Sequence, residues 1–362
     1  MEQQRADKGS RLTSLLHDSG VAVPNAPLVT PAGLAFREHL DLRWDGQRLG
    51  LLGRDSDLSD AGKGVVDMAH CPLVVPALNA WLAEVRRHPL PIARASLRLR
   101  VADGPGGPGG LRGIWIDCAH ADVKALLDHP TWLPTLAALT PAPVIELGPK
   151  ARKVVVRDGH ARLVEPTLEP WSHTFVGRPA TALPLYTSVR AFSQPGAAPN
   201  RVLVQAVTEA VLATCGKQVL ELGAGAGNLT LPLLAAGLTV RAVELDGAAL
   251  ARSAHAAGLA PRLEINAASF ERVDDLATLV QGIDVILADP PRQGLGRFID
   301  GLGRLSRGLR PGHLIYVSCH PEALARDSAR LVGLGYRLAS VTGIDQFPWT
   351  PHAEWVATFA KA

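Results

Sequence analysis

The stretch Gln218-Val-Leu-Glu-Leu-Gly-Ala-Gly-Ala-Gly-Asn228 decides the fold of the second half of the chain. Its apolar run to Leu222 predicts a buried strand, and the glycines predict a tight turn into a helix from Asn228 to Ala236. A strand, a glycine-rich turn and a helix in this order are typical of a nucleotide-type cofactor site. We therefore expect a cofactor at the carboxyl end of this strand.

The same alternation of strand and helix continues towards the carboxyl terminus. Apolar runs that end at residues 245, 265, 288 and 318 are separated by helical patterns, and two more strands follow. Such repetition predicts a doubly wound, mostly parallel sheet with helices on both faces. The fold class is α/β, with a Rossmann-like C-terminal domain.

The first half of the chain has a different pattern. Alternating runs on both sides of Asp45-Gly46 predict a β-hairpin, and two further strands flank the glycine-rich loop Gly104–Gly110. Periodicity breaks in Phe192-Ser-Gln-Pro-Gly-Ala-Ala-Pro199. We therefore expect an α+β domain with antiparallel strands over residues 1–190 and a cofactor-binding domain over residues 191–362.

Composition narrows the class of protein. With 362 residues, 47% hydrophobic content and 20% charge, the sequence predicts a folded chain of two domains rather than a disordered one. A polar amino terminus without a long apolar run predicts neither a signal peptide nor a membrane span, so we expect a cytoplasmic location. We also expect a monomer. The four cysteines are far apart, which argues against a zinc knuckle or a disulfide framework. They are Cys71, Cys118, Cys215 and Cys319.

The spacing in Glu221-Leu-Gly-Ala-Gly-Ala-Gly227 favours S-adenosyl-L-methionine, which has no pyrophosphate to cradle. A nicotinamide or flavin cofactor remains the alternative. Glu244 ends the second strand, where its carboxylate can accept hydrogen bonds from both ribose hydroxyls, and Asn266 ends the third strand, within reach of an adenine. The glycines expected to approach the cofactor are Gly223, Gly225 and Gly227.

Reactive side chains follow the next two strands. Asp289 begins the turn Asp289-Pro-Pro-Arg292, and Cys319 stands beside a predicted helix N-terminus, which can lower the pKa of its thiol. A thiol next to a methyl donor suits carbon 5 of a pyrimidine, because thiolate addition at carbon 6 makes carbon 5 nucleophilic. A base must then remove the carbon-5 proton. Glu354 at the mouth of the last strand is the candidate, with His352 on the same face.

At these residues the chain resembles the RNA 5-methyluridine methyltransferases, the family of the tRNA and 23S rRNA uracil-5 enzymes. The resemblance covers the catalytic half and, more loosely, the preceding domain. It rests on three ordered motifs and two upstream segments. These are Asp289-Pro-Pro-Arg-Gln-Gly-Leu295, Val317-Ser-Cys-His-Pro321 with Leu324-Ala-Arg-Asp327, Asp345-Gln-Phe-Pro348 with His352-Ala-Glu354, Phe192-Ser-Gln194 and His70-Cys-Pro72.

The resemblance implies a role for each matching residue. Cys319 would be the nucleophile, Glu354 the proton acceptor, and Asp289 a residue that touches both the uracil and the cofactor. It also implies S-adenosyl-L-methionine as the cofactor and tRNA or rRNA as the substrate. The positions that match cofactor contacts are Gln194, Gly223, Asn228, Glu244 and Asn266.

The chain departs from the family at several positions. His320 replaces the usual Asn after the cysteine, Gly223-Ala224 replaces an aromatic-Cys pair, and Gly196 stands where an Asn follows the Gln. We expect neither the amino-terminal RNA-binding β-barrel of many relatives nor an iron–sulfur cluster, because Cys71 has no upstream cysteine partners. Candidate RNA contacts in the first domain are Arg37, Arg43 and Arg98.

Two other functions stay open at this point. One is methylation of another substrate by the same fold, such as a cytosine, an amine or a molecule other than RNA. The other is a catalytically silent RNA-binding protein. The complete set of Cys319, Asp289 and Glu354 argues against the second.

Overall fold

The structure, a computed structural model, describes residues 2–23, 26–30, 33–53, 64–104, 107–272 and 275–362. Contacts divide the chain into a first unit of Met1–Gly33, His173–Leu185 and Ala197–Ala362, and a second unit of Leu34–Ser172 and Tyr186–Gly196. This division differs from the predicted split at residue 190. The amino-terminal segment joins the first unit because apolar side chains of its helix are fully buried in that unit's core.

The elements are numbered in chain order. The helices are α1 (Glu2–Asp18), α2 (Pro76–Arg86), α3 (His120–Asp128), α4 (Trp132–Ala137), α5 (Ala197–Ala213), α6 (Thr230–Ala235), α7 (Ala248–Ala256), α8 (Leu276–Val280), α9 (Gly296–Arg304) and α10 (Pro321–Gly333). The strands are β1 (Leu28–Val29), β2 (His39–Trp44), β3 (Leu49–Leu52), β4 (Val65–Asp67), β5 (Ala95–Gly104), β6 (Gly107–Asp117), β7 (Val144–Leu147), β8 (Arg152–Arg157), β9 (His160–Val164), β10 (Glu169–Val176), β11 (Thr181–Thr187), β12 (Gln218–Leu222), β13 (Thr239–Glu244), β14 (Leu263–Ala267), β15 (Val285–Ala288), β16 (His313–Ser318), β17 (Tyr336–Ile344) and β18 (Glu354–Lys361).

The first unit contains a doubly wound sheet in the order β1-β17-β18-β16-β15-β12-β13-β14. Its pairs are parallel except for β18, which is antiparallel to both β16 and β17. Successive side chains of a strand enter different cores. Leu220 and Ile286 pack with α1, α9 and α10, whereas Val219 and Val285 pack with α5, α6 and α7. The predicted Rossmann-like fold is confirmed.

The second unit is built on a sheet in the order β4-β3-β2-β5-β6-β7-β8-β9, in which only the β6–β7 pair is parallel. Helices α2, α3 and α4 bury Trp81, Leu126 and Leu133 in its core. This matches the predicted α+β class. The glycine-rich stretch differs from the predicted loop, since Gly107 is already paired with Gly104 in the β5–β6 hairpin.

One edge of the first unit's sheet collects the predicted site residues. The parallel strands β12, β13, β14, β15 and β16 all end there. Strand β18 runs the opposite way and begins there, with Trp355 paired to Ser318. A residue that follows a parallel strand therefore lies at the same edge as Glu354, which starts β18. Among the described residues, no helix is long and apolar enough to cross a membrane.

Candidate active site at the sheet edge

The glycine loop after β12 depends on backbone angles that favour glycine. Gly223, Gly225 and Gly227 have φ values of 77°, 55° and 97°. A Cβ on Gly227 would lie 2.9 Å from the Leu250 side chain, whereas one on Gly225 would meet no atom within 4 Å. A Cβ on Gly223 would lie 3.4 Å from the carbonyl oxygen of Asp289. The loop therefore passes close to the end of β15 and leaves open space at Gly225.

Glu244 ties the end of β13 to this loop. Its carboxylate accepts hydrogen bonds from the backbone nitrogens of Gly225, at 2.8 Å, and Asp246, at 3.1 Å. A carboxylate has more acceptor positions than these two bonds use. The adjacent Leu245 side chain is 73% exposed. Asn266 on β14 makes a long bond of 3.4 Å to Glu264, which constrains its amide weakly.

Asn228 is held by protein groups. Its side-chain amide exchanges two hydrogen bonds with Asn200, at 2.7 and 2.8 Å, and its carbonyl accepts from Thr174 at 2.6 Å. Asn200 in turn donates to the carbonyl of His173. Asn228 thus fixes the start of the turn into α6, and its contact with a cofactor stays a prediction.

Glu221 is a buried acid near the end of β12, just before the glycine loop. Its place in the Glu221–Gly227 spacing was its only role in the sequence prediction. Its carboxyl accepts a 2.6 Å hydrogen bond from Thr230. Burial raises the pKa of Glu221 to about 8, and the nearby charges of Asp289 and Glu244 add to the effect. The group is therefore mostly neutral at neutral pH.

Asp289, Cys319 and Glu354 form one electrostatic cluster. Burial raises the pKa of Asp289 to about 7. The pKa of Glu354 lies well above its usual value because the carboxyl is buried and because Asp289 is close. Burial also raises the pKa of the Cys319 thiol, with Glu354 and Asp289 adding to the rise and Arg292 opposing it. The net direction for Cys319 is opposite to the lowering expected from a helix N-terminus.

The turn that follows Asp289 is fixed by Asp327 of α10. This buried carboxylate accepts from the backbone nitrogen of Leu295 at 2.7 Å and from the Tyr316 hydroxyl at 3.0 Å. Gly294 has a φ of 84°, and a Cβ there would clash with the Asp327 carboxylate. Asp327 therefore joins the Asp-Pro-Pro turn to the helix that follows Cys319, which gives a physical reason for both motifs.

His320 caps the helix that follows Cys319. Its Nδ1 atom accepts a hydrogen bond from the backbone nitrogen of Ala323 at 3.3 Å and lies 3.3 Å from Glu322. Asn is among the preferred N-cap residues, so the family's Asn and this His can fill the same capping role. Glu322 also pairs with Arg11 of α1.

Helix α1 holds the segment that leads to Glu354, which the sequence did not reveal. Lys8 donates to Asp345 at 2.7 Å and to the carbonyl of Phe347 at 3.1 Å. Gln4 donates to the carbonyl of Thr350 and accepts from the backbone nitrogen of Trp349, both at 3.2 Å. The sequence predicts a helix from the amphipathic piece Arg11–His17, but Gln4 and Lys8 lie before that piece.

Gln346, in the same segment, is fully buried. Neither polar atom of its side chain has a hydrogen-bond partner within the described ranges. A buried amide of this kind requires a water or a ligand as its partner.

Gln194 belongs to the second unit, so its contact with a cofactor stays a prediction. The preceding segment is clamped by Arg98, which donates to the carbonyls of Arg190 and Ala191 and to the carboxylate of Asp41. Arg98 is thus engaged inside the protein and is a poor candidate for RNA contact.

One further departure from the family, in the second unit, has a structural explanation. Gly196 has no room for a side chain, because a Cβ would clash with the carbonyl of Phe36, and this accounts for the missing Asn. Of the other predicted RNA contacts, Arg37 is partly buried and Arg43 is exposed. In the part of the chain that the structure describes, no three His, Cys, Asp or Glu side chains are grouped as a metal site.

Comparison with known proteins places these features in context. Residues 264–361 match a family model described as tRNA (Uracil-5-)-methyltransferase. An uncharacterized RNA methyltransferase of Bdellovibrio bacteriovorus is 34% identical over 365 aligned positions, which cover 97% of this chain and 88% of that protein. The 23S rRNA (uracil(1939)-C(5))-methyltransferase RlmD of Pseudomonas entomophila is 30% identical, over 92% of this chain and 69% of its own length. The chain spans about two thirds of several RlmD relatives.

A solved structure is similar in fold. It is the Pyrococcus abyssi tRNA (uracil-54, C5)-methyltransferase in complex with S-adenosyl-L-homocysteine. The TM-score is 0.67 at 20% sequence identity, over 99% of this chain and 83% of the other. At this identity the likeness supports the fold.

Proposed function

Because the chain belongs to the family of RNA uracil-5 methyltransferases, we propose that it transfers a methyl group from S-adenosyl-L-methionine to carbon 5 of a uridine in tRNA or rRNA. The observation that carries the proposal is the cluster of Cys319, Asp289 and Glu354 beside the glycine loop. A thiol with two carboxyl groups close by is suited to addition followed by proton removal.

The sheet edge fits the cofactor. The open space at Gly225 lets a ligand approach the backbone, and the Glu244 carboxylate beside it retains acceptor positions for ribose hydroxyls. Leu245 offers an exposed apolar surface for an adenine ring, and Asn266 offers an amide. When bound, S-adenosyl-L-methionine supplies an electrophilic methyl group. Gln194 and Asn228 complete the proposed set of cofactor-binding residues.

The first step belongs to Cys319. Its thiolate forms a bond to carbon 6 of the uracil, and the electron pair of the carbon 5–carbon 6 double bond moves towards carbon 5 and the carbonyl at carbon 4. The carboxyl of Asp289, with a pKa of about 7, is partly protonated near neutral pH and can donate a hydrogen bond to a carbonyl that gains charge. Carbon 5 would then bond to the methyl carbon, and the electron pair of the broken methyl–sulfur bond would stay with S-adenosyl-L-homocysteine, the leaving group.

The last step belongs to Glu354. Its carboxylate accepts the proton from carbon 5, the double bond forms again, and the Cys319 thiolate leaves carbon 6. A raised pKa makes the deprotonated Glu354 a stronger base than an exposed glutamate. The target uracil would be flipped out of its RNA loop to reach the buried Glu354 carboxylate.

Trapping with 5-fluorouridine tests the mechanism, since fluorine at carbon 5 cannot leave as a proton. RNA containing 5-fluorouridine should form a covalent complex with the wild-type protein and with Glu354→Gln, but not with Cys319→Ala. On natural RNA, Glu354→Gln should accumulate the methylated adduct and release little product. Cys215→Ala is the matched control, because Cys215 is exposed and lies outside the cluster.

The reaction product decides between the functions. Mass spectrometry of nucleosides from tRNA and rRNA of a deletion strain should show loss of one 5-methyluridine. Normal turnover by Glu354→Gln would refute the assignment of Glu354 as the group that removes the carbon-5 proton. A missing methyl group on cytidine, or no change in any nucleoside, would refute the proposed substrate.

A further inference from the structure

Trp349 lies in the segment before Glu354 and is 57% exposed. Its backbone has a φ of 68°, in the left-handed region that a bulky residue adopts only at a cost. The side chain of Gln4 accepts a hydrogen bond from its backbone nitrogen, which helps to hold this conformation. The segment thus maintains a strained backbone and leaves an indole ring facing solvent.

The segment around Trp349 is anchored on both sides. Before it, Asp345 is paired with the buried Lys8. After it, the Thr350 hydroxyl donates to the carbonyl of Phe347 at 2.8 Å and accepts from the backbone nitrogen of His352 at 3.2 Å. A backbone held in place loses little conformational entropy when a ligand binds to its side chain.

Basic groups surround the same segment. The pKa of His352 is lowered first by burial and then by the charges of Arg292, Arg11, Lys8 and His320. Two of these charges are balanced, since Lys8 pairs with Asp345 and Arg11 pairs with Glu322. Arg292 is exposed and makes no ion pair within the ranges that the structure describes. The segment therefore combines an exposed aromatic ring with positive potential.

We propose that Trp349 is a stacking platform for an unpaired base next to the target uridine, with Arg292 as a phosphate contact. This inference rests on the proposed function. An exposed aromatic ring near cationic side chains is the combination with which proteins bind single-stranded RNA. The ligand is a single-stranded stretch of the RNA substrate. Trp349 lies five positions before Glu354, in the segment that leads to the proposed catalytic base.

Binding of a short fluorescein-labelled oligouridylate to the full chain, measured by fluorescence anisotropy, tests this surface. Trp349→Ala and Trp349→Gly should each weaken binding about tenfold, the usual contribution of one stacked base. Trp349→Phe should retain binding within about threefold, because its ring can still stack. Arg292→Ala should lower the slope of log affinity against log salt concentration by about one, as expected for the loss of a single phosphate contact.

Trp349→Gly separates loss of the ring from loss of folding. Glycine adopts positive φ without strain, so the melting temperature of the Trp349→Gly variant should not fall below that of the wild-type protein. Affinity for S-adenosyl-L-methionine, measured by calorimetry, should stay unchanged in all three Trp349 variants. Oligouridylate affinity of Trp349→Ala within twofold of wild type would overturn the platform.

The outcome also distinguishes this surface from the proposed reaction. If the wild-type protein forms 5-methyluridine but Trp349→Ala binds and methylates normally, the platform fails and the reaction stands. If no 5-methyluridine forms but Trp349→Ala still loses oligouridylate affinity, the reaction fails and the platform stands.

Discussion

Replacing Lys8 with methionine should destabilise the first unit more than any change to an exposed ion pair. The Lys8 ammonium and the Asp345 carboxylate are 2.7 Å apart, and their side chains are only 3% and 4% exposed. Methionine preserves most of the length of the lysine side chain but leaves the Asp345 charge buried without its partner. The carbonyl of Phe347 also loses a donor.

The expected magnitude follows from this burial. Breaking one partner of a buried pair costs about 3–5 kcal/mol, because the remaining charge is uncompensated. Arg11→Met is the matched control on the same helix, since the Arg11–Glu322 pair has side chains that are 48% and 38% exposed. An exposed pair of this kind contributes about 1 kcal/mol or less.

Urea unfolding followed by circular dichroism measures both variants. The double variant Lys8→Met/Asp345→Leu should recover most of the loss, because replacing both charges removes the unpaired carboxylate. A Lys8→Met variant as stable as Arg11→Met would refute the reasoning. So would a double variant less stable than Lys8→Met alone.

Two predictions concern pH. The pKa of Glu221 is raised from 4.5 to about 8, so the folded state binds the proton more tightly and wild-type stability should fall as pH rises between these values. Glu221→Gln should reduce the slope of the free energy of unfolding against pH by up to about 1.4 kcal/mol per pH unit. Urea unfolding from about pH 5 to about pH 8.5 would measure this slope. Parallel curves of unfolding free energy against pH for the two proteins would contradict the prediction. The rate of adduct formation with 5-fluorouridine RNA should rise with pH above neutrality, because burial and two carboxyl groups raise the pKa of Cys319 and the thiolate is the nucleophile. A stopped-flow rate that is flat across this range would show that thiol ionisation does not limit addition.

The strands that build the site were predictable because their patterns are local. The ends predicted for β12, at Leu222, and for β16, at residue 318, are those observed. Both strands are covered on two faces, so their apolar runs continue with little interruption. The helix predicted from residue 228 instead begins at Thr230, because the glycine turn continues past Asn228.

Other parts of the site depend on contacts that leave no local pattern. The Lys8–Asp345 pair joins residues 337 positions apart, and a lysine on an amphipathic helix is usually a solvated surface residue. The pKa of Cys319 depends on Asp289, which follows β15, and on Glu354, which begins β18. The sequence predicted that these three residues share one edge, but their burial sets the direction of the shift.

The position of α1 also has a consequence for the order of folding. During synthesis Lys8 emerges first, and it cannot pair until Asp345 and the strand after it have left the ribosome. Strand β1 likewise cannot pair until β17, which ends at Ile344, has been synthesised. Meanwhile most of the second unit is the continuous segment Leu34–Ser172, which emerges before Asp345, and domains generally fold as units during synthesis. The first unit therefore closes last, through contacts of high sequence separation.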